Sequence, residues 1–284
     1  MIVDTHNHCF PDALAPRAVE GLTVAYGLTA TFDGTVEGLR ARNRAVGIDL
    51  AVVQPVATKA SQVVSINDWA ASIRSDSVIS FGAMHPDFPG PTAELRRMRE
   101  LGLKGVKFQP SWQKFRPDDE RMLPIYEAMQ GELIAYFHGG AEIDPGMKMF
   151  GTPESLARVH EMFPHLTMVV AHMGGFLVWE QAREFLIGSE VLLDTAYCLP
   201  EHISDTDLVS LIRDHGADKV LFGSDAPCGD ASAQLARIRA LPLEPWELSG
   251  IPGGHAARLL GLGCGIGIAE ARKEAKSAET ADRV

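Results

Sequence analysis

The sequence predicts an α/β protein whose parallel strands close into a (β/α)8 barrel. Three observations predict it. The chain has 284 residues, a length that α/β barrels commonly reach as one domain. Eight short apolar runs recur along it: MIVDTH, DLAVVQP, VISFGAMH, LKGVKFQP, LIAYFHGG, LTMVVAHMGG, VLLDTAYC and KVLFGSDAP. Amphipathic stretches of helical period lie between them, among them SQVVSINDWAASIR, PTAELRRMREL, DDERMLPIYEAM, PESLARVHEMF, FLVWEQAREFLIG, SDTDLVSLIRDHG and ASAQLARIRAL. Strands that are apolar on both faces and alternate with helices imply a parallel sheet covered by helices. Eight such units imply closure of that sheet. An open doubly wound sheet is the runner-up, but no G-x-G-x-x-G follows the first run to support a dinucleotide version.

The first run ends in His6 and His8. Residues two apart on a strand share a face, so the two imidazoles should converge, with Asp4 expected on the same side. The segment that follows, PDALAPRAVEGLTVAYGLTATFDGT, is longer than a helix needs and rich in Gly, Thr and Ala. It is expected as a lid or subunit contact over the barrel mouth. Several of the helical stretches open with Asp, Ser or Pro, which the first turn favours. GGHAARLLGL reads as the last helix, and the tail AEARKEAKSAETADRV as a solvated helix or a disordered segment. The expected division is one barrel domain over residues 1–262 and a charged tail over 263–284.

Composition narrows the function. At 46% hydrophobic residues a sizeable core is affordable, yet no apolar stretch nears the length of a membrane span. The N-terminus shows no basic region followed by an apolar one, so no signal peptide is expected. Cys9, Cys198, Cys228 and Cys264 have no close pair spacing and read as reduced thiols of a cytoplasmic protein. A net charge of -11 argues against nucleic acid as partner, because phosphate contacts need clustered Lys and Arg.

The chemistry gathers where the runs stop. Lys107 lies in the fourth run, His138 ends the fifth, His172 the sixth and Asp225 the eighth. Taken singly, each has a bland reading: a satisfied core histidine, a helix N-cap, or a lysine reaching from the barrel to solvent. A barrel delivers every strand's C-terminal end to one rim, where active sites of this fold form. Burying this set unpaired would be costly, and a divalent cation removes the cost. Imidazoles plus a carboxylate suit zinc, which activates a bound water near neutral pH.

In order, D-x-H-x-H, GVKFQP, FHGG, AHMGG, FGSDAP and AARLLGL resemble the amidohydrolase superfamily. More narrowly they resemble its amidohydrolase-related branch of metal-dependent hydrolases and decarboxylases. The resemblance covers about residues 1–262 and implies a TIM barrel. It implies a metal held by His6, His8, His138 and Asp225, with His172 beside the metal water or the substrate. Relatives with two metals bridge them by a carboxylated lysine on the fourth strand. Lys107 holds that strand here, and would bridge the metals or bind a substrate carboxylate as a point charge. One metal is expected rather than two, zinc ahead of manganese. His255 departs from the Asn that relatives often show in the closing segment.

Pocket walls are expected from Trp112, Phe115 and Arg116 after the fourth run, MKMF after the fifth, Phe176 and Trp179 after the sixth, and Tyr197 after the seventh. Such apolar walls with a few cations would suit a small aromatic or unsaturated acid, or else a contact between two copies of the chain. His85 reads as a turn residue, Cys9 and Cys228 as small buried apolar groups, and His160, His165, His202 and His215 as surface. The expected activity is metal-dependent hydrolysis of a small ester, lactone or amide, with Asp225 moving the proton and His172 steadying the oxyanion. The alternative is nonoxidative decarboxylation of an aromatic or unsaturated acid at the same site. A barrel that binds without catalysing is the remaining reading.

Overall fold

A computed structural model describes residues 1–262; the charged tail expected over 263–284 lies outside the described residues. All eight predicted runs form strand. They are β1 (Val3–Asn7), β2 (Leu50–Val53), β3 (Val78–Ser80), β4 (Gly82–Ala83), β5 (Gly105–Phe108), β6 (Ile134–Phe137), β7 (Met168–Val170), β8 (Leu192–Asp194) and β9 (Val220–Leu221). The third run supplies both β3 and β4, interrupted at Phe81. Every pairing is parallel, in the orders β1-β2-β3 and β4-β5-β6-β7-β8-β9. Backbone hydrogen bonds join the two sets into a ring. Phe81 N donates to Val53 O at 2.9 Å, and Thr5 N donates to Phe222 O at 2.9 Å. A parallel bridge between Asn7 and Ala226 extends the second junction. The architecture is a TIM barrel.

The helices wrap the outside: α1 (Ala15–Tyr26), α2 (Val36–Val46), α3 (Val63–Ser72), α4 (Pro91–Glu100), α5 (Pro110–Gln113), α6 (Leu123–Met129), α7 (Pro153–Met162), α8 (Trp179–Phe185), α9 (Asp205–His215), α10 (Ala231–Ala240), α11 (Pro245–Ser249) and α12 (His255–Leu259). Their starts follow local chemistry. Thr35, Thr152, Ser204 and Asp230 each accept a first-turn N–H through a side-chain oxygen. The segment after β1 departs from the expected lid loop. It contains the helix α1, opened by a proline in its first turn and closed by Gly27 at φ 64°. Gly21, Thr23 and Val24 lower its helix propensity and hid it in the sequence. The stretch beyond α1 does reach the barrel mouth, where Thr31 N donates to Pro227 O at 2.8 Å.

Alternation along the strands separates two cores. Val106, Phe108, Phe137, Val170, Leu193 and Phe222 face outward and pack with helix residues such as Met98, Ile125 and Tyr126. Val3, Leu50, Val52, Phe81, Tyr136, Val169 and Leu221 fill the barrel interior. By the same period, Lys107 between Val106 and Phe108, and Asp194 after Leu193, point inward.

Strand β1 breaks the period. Asp4 pairs with Ala51 while Asn7 pairs with Val53, so three steps on β1 match two on β2. This bulge turns both Thr5 and His6 inward: Thr5 Oγ1 meets Tyr136 Oη at 3.2 Å, and His6 meets Lys107. Asp4 therefore does not share the face of His6 and His8, contrary to the simple two-residue rule. Its carboxylate accepts from Arg42 of α2 at 3.2 Å and from Ser224 Oγ at 2.6 Å, and the same Arg42 donates to Asn7 Oδ1 at 2.5 Å.

Candidate active site

Four imidazoles meet at the C-terminal mouth of the barrel, and each has one ring nitrogen committed. His6 Nδ1 faces Asp194 Oδ2 at 2.8 Å, and His8 Nδ1 faces the Gln54 carbonyl at 2.8 Å. His172 Nδ1 faces the Ala196 carbonyl at 2.8 Å, and His138 Nε2 faces the Ala141 carbonyl at 3.0 Å. Carbonyl and carboxylate oxygens only accept, so each of these nitrogens carries the ring proton. The opposite nitrogen of each neutral ring is then a lone pair.

Those lone pairs look toward one another. His8 Nε2 lies 3.1 Å and His6 Nε2 3.4 Å from Asp225 Oδ1. His138 Nδ1 and His172 Nε2 stand 3.0 Å apart. One ligand atom from each of His6, His172 and Asp225 falls within 4.8 Å of the other two. Lone pairs turned on each other repel, and a shared cation satisfies them. Held tautomers around a converging carboxylate are how proteins prepare imidazole ligands, so these residues fit a divalent metal. The geometry places His172 inside the tightest group, and His8 and His138 on its flanks.

Electrostatics follow from burial. Burial drives the His172 pKa down to about 3, with His138 adding to the effect. Burial and the neighbouring Lys107 likewise lower that of His6. Burial alone would raise Asp225, but His6, His8 and His172 together hold it well below the usual carboxylate range. Asp194 is depressed in the same way, burial being outweighed by His6 and its hydrogen bond. Lys107 is 1% exposed, so it does not reach solvent. Its Nζ donates to His6 Nε2 at 2.9 Å, and burial lowers its pKa to about 8 against the pull of Asp225, Asp194 and Glu142.

The backbone is strained where the site needs it. His172 (φ 60°), Tyr197 (φ 55°) and Asp225 (φ 61°) all occupy the left-handed region, at a cost on the order of 1–3 kcal/mol each. Gln234 braces two of them: its Oε1 accepts from Tyr197 N at 2.8 Å, and its Nε2 donates to the carbonyl of Ser224, next to Asp225, at 2.7 Å. At Gly223, a Cβ would stand 2.9 Å from His6 Cβ and 3.2 Å from Asp194 Oδ2, so glycine permits their approach.

The proposed walls divide. Phe176 packs beside His172 (ring centroids 5.8 Å) and Tyr197 (5.8 Å), and Trp179 Nε1 donates to His172 O at 3.0 Å. Trp112 sits half-buried on α5, and Lys148 lies over the Phe150 ring at 4.7 Å. Phe115 is not a wall: it is buried in the outer core against Phe108. Arg116 turns away to an exposed ion pair with Asp118 at 2.9 Å. Both follow the fourth strand, but the α5 turn sends the chain outward after Gln113. His85 accepts from Asp87 N at 3.1 Å, as a turn residue would. His215 is not on the surface. It is 2% exposed, accepting from Gly188 N and donating to Val191 O. His202 is half-buried and stacks on Tyr197 at 5.8 Å, close to Phe176. His255 Nδ1 is spent on Val220 O at 2.9 Å. Burial pushes the thiols of Cys9 and Cys228 up to about 12, which favours the protonated form over the nucleophilic thiolate.

Sequence reasoning missed Asp194, Tyr136 and Glu142. Asp194 receives His6, the backbone N–H groups of His172 (2.7 Å) and Ala196 (2.9 Å), and the Tyr136 hydroxyl. Its signal was present, a lone acid at the end of the seventh run. Glu142 is buried with Oε1 3.3 Å from His138 Nε2, and nothing in its spacing marked it.

A parallel barrel with histidines and an aspartate gathered on its C-terminal rim is a TIM barrel with a candidate metal site. The amidohydrolase family model matches residues 3–262, and the chain belongs to that family. No curated protein matches it. Among solved structures it is similar to an uncharacterized TIM-barrel protein from Bordetella bronchiseptica (20% identity, 92% of this chain and 98% of that one, TM-score 0.74). It is similar also to 5-carboxyvanillate decarboxylase from Sphingomonas paucimobilis (18%, 92% and 98%, TM-score 0.68). The same enzyme from Novosphingobium aromaticivorans, complexed with manganese and 4-hydroxy-3-methoxy-5-nitrobenzoic acid, matches at 17% identity, 92% and 96% coverage, and TM-score 0.70. At these identities the likeness establishes the fold.

Proposed function

We propose that the protein is a divalent-metal-dependent enzyme that decarboxylates a small aromatic or unsaturated carboxylic acid. The observation that carries the metal is the set of held tautomers, which leaves His8 Nε2, His138 Nδ1 and His172 Nε2 as inward lone pairs beside Asp225, with the His6 Nε2 lone pair shared with Lys107 Nζ. The four histidines and Asp225 would hold it. Bound, the metal would supply a Lewis acid that orients and polarises the substrate's oxygen groups. Hydrolysis, the first expectation from sequence, yields to decarboxylation because several solved relatives of the same fold are named as aromatic-acid decarboxylases.

The chain's own residues have defined tasks in this reading. Lys107, the buried amine of β5, neutralises the substrate's negative charge. Asp225 is ionised at rest, so it first takes a proton from a substrate hydroxyl or solvent. It then delivers that proton to the carbon bearing the carboxylate. The C–C bond breaks, its electron pair remains on that carbon to bind the proton, and carbon dioxide leaves. Phe176 and Tyr197 close one side of the site with aromatic surface.

Carbon dioxide release from a panel of hydroxybenzoates, beside turnover of esters and lactones, tests the reading. Release of carbon dioxide, lost in Asp225→Asn, is the expected result. Ester or lactone turnover without carbon dioxide would replace decarboxylation by hydrolysis, and an undiminished Asp225→Asn would remove its proton-carrying role.

A further inference from the structure

Glu142 has no task in the reaction above, yet it is a carboxylate 7% exposed at the mouth of the barrel. Its Oε1 makes no hydrogen bond among the described residues, and its one ion-pair contact is His138 Nε2 at 3.3 Å. A buried carboxylate with no arginine or lysine at ion-pair distance is costly unless its charge is used, and Lys107 feels Glu142 only from further away. The chain takes trouble to put it there. After β6, Gly139 O accepts from Phe176 N at 2.9 Å, and Ala141 N donates to Phe176 O at 2.9 Å. Gly140 between them sits at φ 92°, where a Cβ would lie 2.3 Å from Phe176 N. This pinned turn folds Ala141 and Glu142 back over the edge of the His138 ring that carries Nε2.

We propose that Glu142 is a positioning residue of His138, its negative charge beside Nε2–H favouring that tautomer so that Nδ1 is presented inward and made more basic. The Ala141 carbonyl directs the same N–H but brings no net charge. A carboxylate adds that charge, and such outer partners of a ligating imidazole are worth about 10- to 100-fold in metal affinity. The inference rests on the reading of the site as a metal centre, with His138 among its ligands.

Two readouts test it. In metal-free protein, the imidazole 15N shifts of His138 should report the Nε2–H form in the parent and a larger share of the Nδ1–H form in Glu142→Leu, where the Ala141 carbonyl alone is left to favour Nε2–H. In metal titrations against a competing chelator, Glu142→Leu should bind Mn2+ about 10- to 100-fold more weakly than the parent. Glu142→Gln keeps an acceptor without the charge, so it should fall between the two while melting at the parent's temperature. Parent-like tautomer and parent-like affinity in both variants would overturn the proposal. If Glu142→Leu fails to fold, Glu142→Gln decides alone, and parent affinity there overturns it. A parent that takes up no Mn2+ would sink the metal reading of the site, while the tautomer measurement would still pass judgement on Glu142.

Discussion

An imidazole is prepared for a cation when its other nitrogen is held as a donor, and in the proposed metal site each imidazole has such a holder. Asp194 shows how. Its Oδ1 is claimed by the N–H groups of His172 and Ala196, and its Oδ2 by His6 Nδ1. In Asp194→Asn the backbone donors keep the amide oxygen, so the amide NH2 must face His6 Nδ1. The ring would then turn to the opposite tautomer, protonating Nε2 and removing it as a ligand. We expect metal affinity to fall about 10- to 100-fold, measured by chelator competition; unchanged affinity would mean that Asp194 does not set the tautomer. The gathering of His6, His8, His138, His172, Lys107 and Asp225 at one rim was legible in the sequence because a barrel delivers the end of every strand there. Asp194 is equally placed but carries no mark of its own, since one acid among VLLDTAYC looks like a strand end. Glu142 was illegible because a turn, not a spacing rule, returns it to His138. His215 misled because it lies on the inner side of the last turn of α9, where only the fold reveals that Val191 O awaits it.

Among the elements, β1 carries the most information for its length. Its bulge puts His6 and His8 inside and leaves Asp4 and Asn7 outside, where Arg42 of α2 clamps both. Arg42 is 9% exposed at its side chain and Asp4 is fully buried, so breaking this pair strands a charge. Arg42→Leu should cost roughly 3 kcal/mol of stability and loosen His6, lowering activity beyond the loss of folded protein. A denaturant melt with activity measured on the folded fraction separates the two effects; a stable, fully active variant would show that the clamp is dispensable. The alternation of strands and helices was plain in sequence, whereas the bulge was not: it is a mismatch between two strands, invisible in either alone. The helix α1 was hidden for a different reason, a glycine and β-branched residues that weaken its pattern while its tertiary setting keeps it helical.

Taken whole, the molecule is a ring of short parallel strands whose lower interior is apolar and whose upper rim is imidazole, carboxylate and one buried amine. Among its described residues no helix is long and apolar enough to cross a membrane. Stability of such a body should fall with mild acid. Burial, with Lys219 nearby, holds the His215 pKa down to about 4, while the unfolded chain's histidine titrates near the ordinary value of about 6.5. Between those values the unfolded chain binds the extra proton, so stability is full above about pH 6.5 and declines as pH falls toward about 4. In His215→Gln the slope of Tm against pH across that window should be shallower than in the parent; an identical slope would mean that His215 does not contribute to acid sensitivity.

The most direct test is anomalous diffraction from crystals of the protein grown with Mn2+. The account predicts a metal peak within bonding distance of His6 Nε2, His8 Nε2, His138 Nδ1, His172 Nε2 and the Asp225 carboxylate. A peak absent from that position, with His138 Nδ1 and His172 Nε2 sharing a proton instead, would contradict it.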